Sequence, residues 1–196
     1  MIAPGRRAVA VAGHTGDVAT ARVGWGSADP AVRAIALGAL ERLGELDDDA
    51  LASALHDPDV AVRRRAAELA ASHRSVDLLV ALHDADDRVV EVAAWACGEH
   101  ESSRDAIVER LVELAGSALE PLVRESALAA LGAIGDERGL GAIISGCNDK
   151  PAVRRRAVLA LAPFDGEEVD AAIRAALVDR DWQVRQAAED LQRARS

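Results

Sequence analysis

The sequence predicts an all-α protein, a right-handed α-solenoid of about six to seven helical hairpins. Half of the 196 residues are hydrophobic but only 2% are aromatic, so the core must consist mainly of Ala, Leu, Val and Ile, and Ala and Leu are strong helix formers. A Val-Arg dipeptide, replaced once by Val-Val, recurs every 27 to 34 residues ahead of an Ala-rich run. A fixed period in this range is typical of stacked supersecondary units.

One helix of every predicted hairpin starts at this dipeptide. An acid stands four residues before the arginine position in five of the six copies, and Lys150 replaces it in the other; the acids are Asp29, Asp59, Asp86, Glu120 and Asp181. Proline follows directly at positions 30, 121 and 151, and an acidic N-cap followed by proline is typical of a helix start. An alanine three residues after each arginine position extends the pattern along one helical face. A turn and a second amphipathic helix complete each unit, which predicts about thirteen helices in all.

Both ends of the chain fit a single domain over residues 1–196. Residues 1–26 lack the dipeptide, but Arg6 to Val9 aligns with Arg155 to Val158, so we interpret them as a degenerate N-terminal repeat. Residues 181–196 form a predicted C-terminal capping helix, because Glu189 and Gln192 stand where inner repeats carry apolar residues.

The segments "DPDVAVRRRAAELA" and "EPLVRESALAALGAIGDERGLGAI" resemble HEAT-like repeats of the short type known from phycobilin lyase subunits. The resemblance extends from about Arg6 to Arg193 and implies an armadillo-like α-solenoid. It implies little about function, because such repeats serve many unrelated roles.

The first arginine of each copy is predicted to be structural. We expect a ladder of Asp–Arg pairs that ties adjacent repeats and caps helices, formed by Arg33, Arg63, Arg124, Arg154 and Arg185. The additional arginines are not periodic and point outward; they are Arg64, Arg65, Arg155 and Arg156. For these, a solvated face and contact with an acidic partner both stay open.

Composition and motifs disfavour several classes of function. The net charge of −10 disfavours nucleic-acid binding. Two cysteines without a CxxC motif indicate neither a zinc module nor a disulfide framework, which fits the cytoplasm. No apolar stretch is long enough for a membrane span, and the G-x-S-x-G, H-E-x-x-H and P-loop motifs are missing. We therefore expect no catalytic residue, no cofactor, no metal and no membrane partner.

The alternative function is a HEAT-like metalloenzyme or a subunit of a modifying enzyme, of the hydroxylase or lyase type. Deoxyhypusine hydroxylases have similar repeats and bind iron through His-Glu dyads inside "VRHE"-like helices. The matching positions here read "VRRR", "VVEV" and "VRES". The dyads of this chain are His56-Asp57, His83-Asp84 and His100-Glu101, and they fall at predicted loop edges. No residue is identified that would carry lyase chemistry, and a nucleic-acid-binding repeat protein is a third alternative.

The repeat pattern breaks in its third copy, and breaks of a local rule occur mainly at functional or strained sites. Val90 replaces the arginine there, and Trp95 occupies an outward position five residues later. These features predict a partner-binding surface centred on Trp95, unless Trp95 folds back over a groove between helices. Neighbours are expected at Val92 and Leu159, with a rim of Arg65, Arg156 and Glu99.

The sequence thus predicts a non-catalytic scaffold or adaptor that displays a curved helical surface to another protein. Self-association through the N-terminal repeat is a further option that the sequence leaves open.

Overall fold

The computed structural model describes residues 4–100 and 104–195 and contains thirteen α-helices and one short 3-10 helix in these ranges. The helices are α1 (Arg6–Thr15), α2 (Val18–Trp25), α3 (Pro30–Leu43), α4 (Asp48–Ala54), α5 (Val60–Ala70), α6 (Leu79–Leu82), α7 (Asp87–His100), α8 (Asp105–Ser117), α9 (Pro121–Ile134), α10 (Leu140–Gly146), α11 (Pro151–Ala160), α12 (Glu167–Ala176) and α13 (Trp182–Arg195). The 3-10 helix spans Glu137–Gly139. The described residues contain no strand, and the predicted all-α solenoid of helical hairpins is confirmed.

Two kinds of helix alternate along the chain. Six helices contain the repeating dipeptide in their first turn, and we call them the ladder helices, which are α3, α5, α7, α9, α11 and α13. We call α2, α4, α6, α8, α10 and α12 the companion helices. The chain divides into two compact units, Met1–Val89 and Val90–Ser196. In the first unit α3 packs against α1, α2 and α5, and α4 packs against α5. In the second unit α11 lies between α9 and α13, and each of these three ladder helices packs against the companion helix that precedes it. The single domain over residues 1–196 stays a prediction.

The helix starts follow from N-capping and proline. The carboxylate of Asp29 accepts a hydrogen bond from the backbone N–H of Ala31 at 2.9 Å, and that of Asp59 accepts one from Ala61 at 2.8 Å. Glu120 precedes α9 without a side-chain cap, and Pro121 occupies the first turn instead. Each of these devices satisfies or removes an N–H that has no partner inside the helix.

Small residues let neighbouring ladder helices approach closely. A Cβ atom placed on Gly132 of α9 would lie 2.7 Å from the Cα atom of Ala160 on α11, so only glycine fits there. The core is accordingly aliphatic, and Phe164 is its largest fully buried side chain. Trp25 is only half-buried, although the sequence places it at a periodic core leucine position. An indole is larger than the leucine site and leaves part of its surface in solvent.

A bidentate Arg–Asp pair, here called a rung, joins successive repeats. In the rung of Arg124, Nη1 donates to the backbone carbonyls of Ala118 and Leu119 at 2.7 and 3.1 Å, in the turn before its own helix. Nε and Nη2 donate to both carboxylate oxygens of Asp149 at 2.6 and 2.8 Å, in the turn before the next ladder helix. Four rungs have this bidentate pair, Arg33 with Asp57, Arg63 with Asp84, Arg124 with Asp149, and Arg154 with Asp179. In the last of them Nη1 donates to one carbonyl, that of Asp149, at 2.8 Å.

The fifth predicted ladder arginine forms half of a rung. Nη1 of Arg185 donates to the carbonyls of Asp179 and Arg180 at 2.8 and 3.2 Å, as in the other copies. Within residues 4–100 and 104–195 its guanidinium has no ion pair.

The rung acid is distinct from the N-cap acid. Asp57 holds Arg33, while Asp59, two residues later, caps α5. Asp57 also accepts the backbone N–H of Asp59 at 2.8 Å, so the rung and the cap share one turn. Hydrogen bonds from Arg124 lower the pKa of Asp149 more than its partial burial raises it.

The third ladder helix lacks both members of a rung. Val90 occupies the arginine position and is buried, and Ala118 occupies the position of the matching acid. Loss of one partner would leave a poorly solvated charge, whereas replacement of both by apolar residues is nearly neutral. The replacement of the arginine by Val90 and of the acid by Ala118 therefore leaves no unpaired charge at this position.

We expect Arg124→Ala to lower the free energy of unfolding by about 1–3 kcal/mol, because it removes charged hydrogen bonds in a part-buried rung. Arg64→Ala, a matched control at an exposed position with no ion pair among the described residues, should cost far less. Chemical denaturation of both variants measures the difference. Equal losses would contradict the rung's structural role.

A half-buried histidine joins three elements of the first unit. His73, in the segment between α5 and α6, places Nε2 3.0 Å from Glu41 of α3 and Nδ1 2.6 Å from Asp48 of α4. Burial by itself would lower the pKa of His73, but the hydrogen bonds to Glu41 and Asp48 outweigh it and raise the pKa above its ordinary value of 6.5. The protonated ring can donate to both carboxylates, whereas the neutral ring can donate to only one.

This pair of contacts predicts a pH-dependent stability. The contribution of His73 is fully present below the unfolded-state pKa and is lost as the pH rises through the higher folded-state pKa. We expect wild type to exceed His73→Gln by on the order of 1 kcal/mol near about pH 6, with a smaller margin near about pH 9. Thermal unfolding across this range tests it, with His14→Gln, at an exposed histidine, as control. A margin that does not change with pH would show that His73 does not titrate in this way.

Candidate functional site

The outer surface of ladder helices α11 and α13 carries a group of exposed apolar and basic side chains. Arg155, Arg156 and Leu159 project from α11, one, two and five residues after the rung arginine. Trp182 stands at the first position of α13 and is 65% exposed. Leu159, beside it, is 37% exposed.

Two small clefts share Leu159 and Arg155. The first, of about 60 Å³, is lined by Glu125 of α9, by Arg156 and by Gln183 of α13. The second, of about 120 Å³, lies between α11 and α13 and is lined by Trp182. Sites for small-molecule ligands usually measure about 300–1,000 Å³. The clefts therefore suit single side chains of a partner better than a cofactor.

The charges at these clefts are unevenly matched. Within residues 4–100 and 104–195, neither Arg155 nor Arg156 forms an ion pair. Asp190, at the edge of the second cleft, accepts hydrogen bonds from Gln186 and Arg193. The guanidinium groups of Arg155 and Arg156 are thus available to a ligand.

The predicted centre at Trp95 lies on a different part of the second unit. Trp95 is 42% exposed on α7, and Glu99, one turn later, is exposed as well. Neither lines the clefts around Leu159, where the aromatic neighbour is Trp182. The structure therefore brings Leu159 and Arg156 together with Trp182, and the predicted surface centred on Trp95 stays a prediction.

The sequence did contain a signal for Trp182. Its position, the first of a ladder helix, is occupied by proline, valine or aspartate in the five other copies, and a tryptophan there has no core to enter.

Val92 does not belong to an exposed strip, because it is only 8% exposed. Val92 lies one helical turn before Ala96, and Ala96 is the residue of α7 equivalent to Ala160 of α11. Ala160 packs against Gly132 of the preceding ladder helix, so this side of a ladder helix is covered. A short side chain there is covered, whereas an arginine at the same position can extend outward.

Arg65 lies in the first unit and is engaged within it. Its guanidinium pairs with Glu68 at 2.9 Å. It also lies across Gly38 of α3, where an added Cβ atom would be 2.5 Å from Nη2. Arg65 is therefore bound within its own unit, and its predicted place in a rim around Trp95 stays a prediction.

A groove of about 590 Å³ in the second unit lies between companion helices α10 and α12. Cys147 and Glu168 line it together with several alanines of α12. Burial raises the pKa of the Cys147 thiol to about 11, so the thiol is protonated at neutral pH and is a poor nucleophile.

A groove of about 470 Å³ in the first unit contains both histidines of the expected His-Asp dyads, His56 and His83, together with Asp77. Nδ1 of His83 donates to the backbone carbonyl of Leu79 at 2.9 Å. The acids of the two dyads do not act with these rings, because Asp57 and Asp84 are the rung partners of Arg33 and Arg63.

The third expected dyad is only partly described. His100 is buried, and Glu101 lies outside the described residues. Across residues 4–100 and 104–195, no group of three or more His, Cys, Asp or Glu side chains is arranged to hold a metal ion. No helix in these ranges has the length and apolar character needed to cross a membrane.

Comparison with known proteins identifies the repeat type. Residues 75–150 match the family model of HEAT repeats. Human deoxyhypusine hydroxylase in complex with glycerol is similar with a TM-score of 0.50 and 19% identity, over 96% of this chain and 77% of that protein. A designed armadillo repeat protein in complex with the peptide (KR)4 is similar with a TM-score of 0.50 and 17% identity, over 99% of this chain and 88% of the designed one. A search of the curated proteins found no match.

At these identities the solved structures show the fold alone. Together with the family match, they show that the chain is a HEAT-like repeat protein with an armadillo-like, all-α fold. What it binds is not decided by the similarity, because HEAT-like repeats carry unrelated functions.

We expect no stoichiometric iron or zinc in the purified protein, because the acids beside His56 and His83 are committed to rungs. Elemental analysis of protein prepared without chelators measures this, with His14→Ala as a matched control. One equivalent or more of metal per chain, lost in His56→Ala or His83→Ala, would instead favour the metalloenzyme.

Proposed function

We propose that this HEAT-like repeat protein is a non-catalytic scaffold that binds another protein through the outer surface of α11 and α13. The observation that carries the proposal is the exposed pair of Leu159 and Trp182, bordered by side-chain-sized clefts and by two arginines without ion pairs among the described residues.

An exposed tryptophan beside an exposed leucine has the character of an interface centre. Tryptophan and arginine are enriched among residues that dominate binding energy, and a polar rim normally surrounds them. Here Gln183, Gln186 and Glu125 provide polar groups around the apolar pair. The rung between Arg154 and Asp179 fixes the spacing of α11 and α13 in advance. Such preorganisation reduces the entropic cost of binding.

The absence of catalysis is part of the proposal. A catalytic site needs a nucleophile or base in contact with a group that orients it. The most suggestive pairs in this chain have other partners, since Asp57 and Asp84 bind arginines. The thiol of Cys147 is held protonated by burial. These features support a binding role over the hydroxylase or lyase alternative.

We further propose a cytoplasmic location, because both cysteines, Cys97 and Cys147, are free, which suits a reducing compartment.

Binding of the native partner tests the proposed surface. We expect Trp182→Ala and Leu159→Ala to keep the fold, because both side chains are exposed, and to weaken the partner at least about tenfold, or about 1.4 kcal/mol. The partner is captured from native lysate on immobilised wild type, identified by mass spectrometry, and titrated against each variant.

Two further variants sharpen the result. Leu119→Ala removes an almost fully exposed leucine from another turn and should leave the affinity unchanged. Trp95→Ala tests the surface on α7 that the sequence predicts. A loss of affinity in Trp95→Ala with none in Trp182→Ala would move the site to α7, and no loss in any of the three site variants would contradict an interface on the ladder helices.

A further inference from the structure

We infer that the surface around Leu159 and Trp182 takes an acidic segment of a partner protein, whose carboxylates pair with Arg155 and Arg156 and whose apolar side chain lies against Trp182. This inference rests on the proposed function and adds the chemistry of the partner.

The same five-residue motif, Val-Arg-Arg-Arg-Ala, occurs twice in the chain, at residues 62–66 and 153–157. In both copies the first arginine forms a rung, Arg63 with Asp84 and Arg154 with Asp179. The two copies therefore present their second and third arginines from equivalent positions on α5 and α11. Any difference in what those arginines do must come from their neighbours.

The first difference is charge. Three residues after the third arginine, α5 carries Glu68, which pairs with Arg65 at 2.9 Å. The equivalent residue of α11 is Leu159, which cannot accept a hydrogen bond from Arg156. The first copy thus neutralises its third arginine internally, and the second copy replaces the neutralising acid by an exposed apolar side chain.

The second difference is space on the neighbouring ladder helix. Arg65 lies across Gly38 of α3, where an added Cβ atom would come within 2.5 Å of Nη2. The residue equivalent to Gly38 on α9 is Ala129, which carries that Cβ atom. Arg156 therefore lacks the free space over a glycine that Arg65 occupies, and the side chain of Arg156 is exposed. Both differences act in the same direction and leave Arg156 available, next to Arg155, which forms no ion pair among the described residues.

The charge and shape of this surface select the partner's chemistry. Carboxylates form paired, charge-assisted hydrogen bonds with guanidinium groups, which gives both energy and orientation. The cleft beside Trp182, about 120 Å³, has room for one apolar side chain of the partner. The carboxylates of Glu125 and Asp190 at the edges would attract a basic ligand, but Asp190 is already bound by Arg193 and Gln186. The two free arginines therefore favour an acidic ligand more strongly than these acids favour a basic one.

The overall charge of −10 does not prevent this recognition. Charges more than about 8 Å apart are largely screened at physiological ionic strength, so contacts at the site decide. A nucleic-acid backbone is favoured less, because it needs a continuous basic track. The helices on either side present Glu125 and Ser126 on α9, and Gln186 and Ala187 on α13, at the positions of the two arginines.

Selection of a random peptide library on the full chain tests the inference. We expect the selected peptides to be enriched in Asp and Glu together with Leu, Phe or Trp. The double variant Arg155→Gln/Arg156→Gln should bind them at least about tenfold more weakly, and Trp182→Ala should weaken them as well. Arg64→Gln, at the same place in the first copy of the motif, is the matched control and should bind like wild type. Circular dichroism verifies that each variant is folded.

The outcomes separate this inference from the proposed function. Peptides that require Trp182 and Leu159 but tolerate the double variant, or that are enriched in Lys and Arg, would overturn the acidic partner and leave the scaffold in place. Failure to select any peptide that depends on Trp182 would count against the scaffold surface itself. Tighter binding of single-stranded oligothymidine than of the selected peptides, lost in the double variant, would assign the arginines to nucleic acid.

Discussion

The Arg–Asp rung is the interaction on which the regular stacking of this chain depends. One guanidinium holds the carbonyls of its own turn through Nη1 and both oxygens of the next repeat's aspartate through Nε and Nη2, as in the rung of Arg33 and Asp57. The Ala-rich faces that pack beneath it offer close contact but little direction, since a methyl group against a glycine permits sliding and rotation. Directional hydrogen bonds from a planar, permanently charged group fix the register that such packing leaves free.

The rung also explains how far the sequence could predict the fold. Features that each repeat needs for its own folding recur along the chain. The period, the apolar helix faces, the helix starts at proline and the ladder arginines could therefore be identified from the sequence. The identity of the rung acid could not. Asp57 and Asp59 are two residues apart in one turn, and only the contact with Arg33, 24 residues away in the chain, separates a rung from a cap. The same ambiguity made His56 and Asp57 look like a functional pair, although the carboxylate is bound to an arginine.

The candidate site was predicted less completely than the fold, for a related reason. Helical spacing tells which way a side chain leaves its own helix, and on that basis Trp95, Leu159 and Arg156 were placed outward, where the structure has them. Spacing does not tell how far a side chain reaches or which helix lies beside it. Val92 occupies the position equivalent to Arg156, but the short side chain of Val92 is covered, and an indole from the next ladder helix, that of Trp182, lies beside Leu159.

The two Val-Arg-Arg-Arg-Ala segments show where this architecture can acquire function. The first arginine is constrained by the rung, because its replacement would leave the part-buried carboxylate of the rung aspartate without a counter-charge. Positions that take no part in stacking are free to vary, and five residues after the arginine position the ladder helices carry Gly38, Glu68, Trp95, Ala129, Leu159 and Asp190 in turn. Exchanging a glycine and a glutamate for an alanine and a leucine leaves the rung intact and turns an internally paired arginine into an exposed one. A repeat protein can thus change what it binds without changing how it stacks, and the differences between equivalent positions are more informative about its partner than the features that all repeats share.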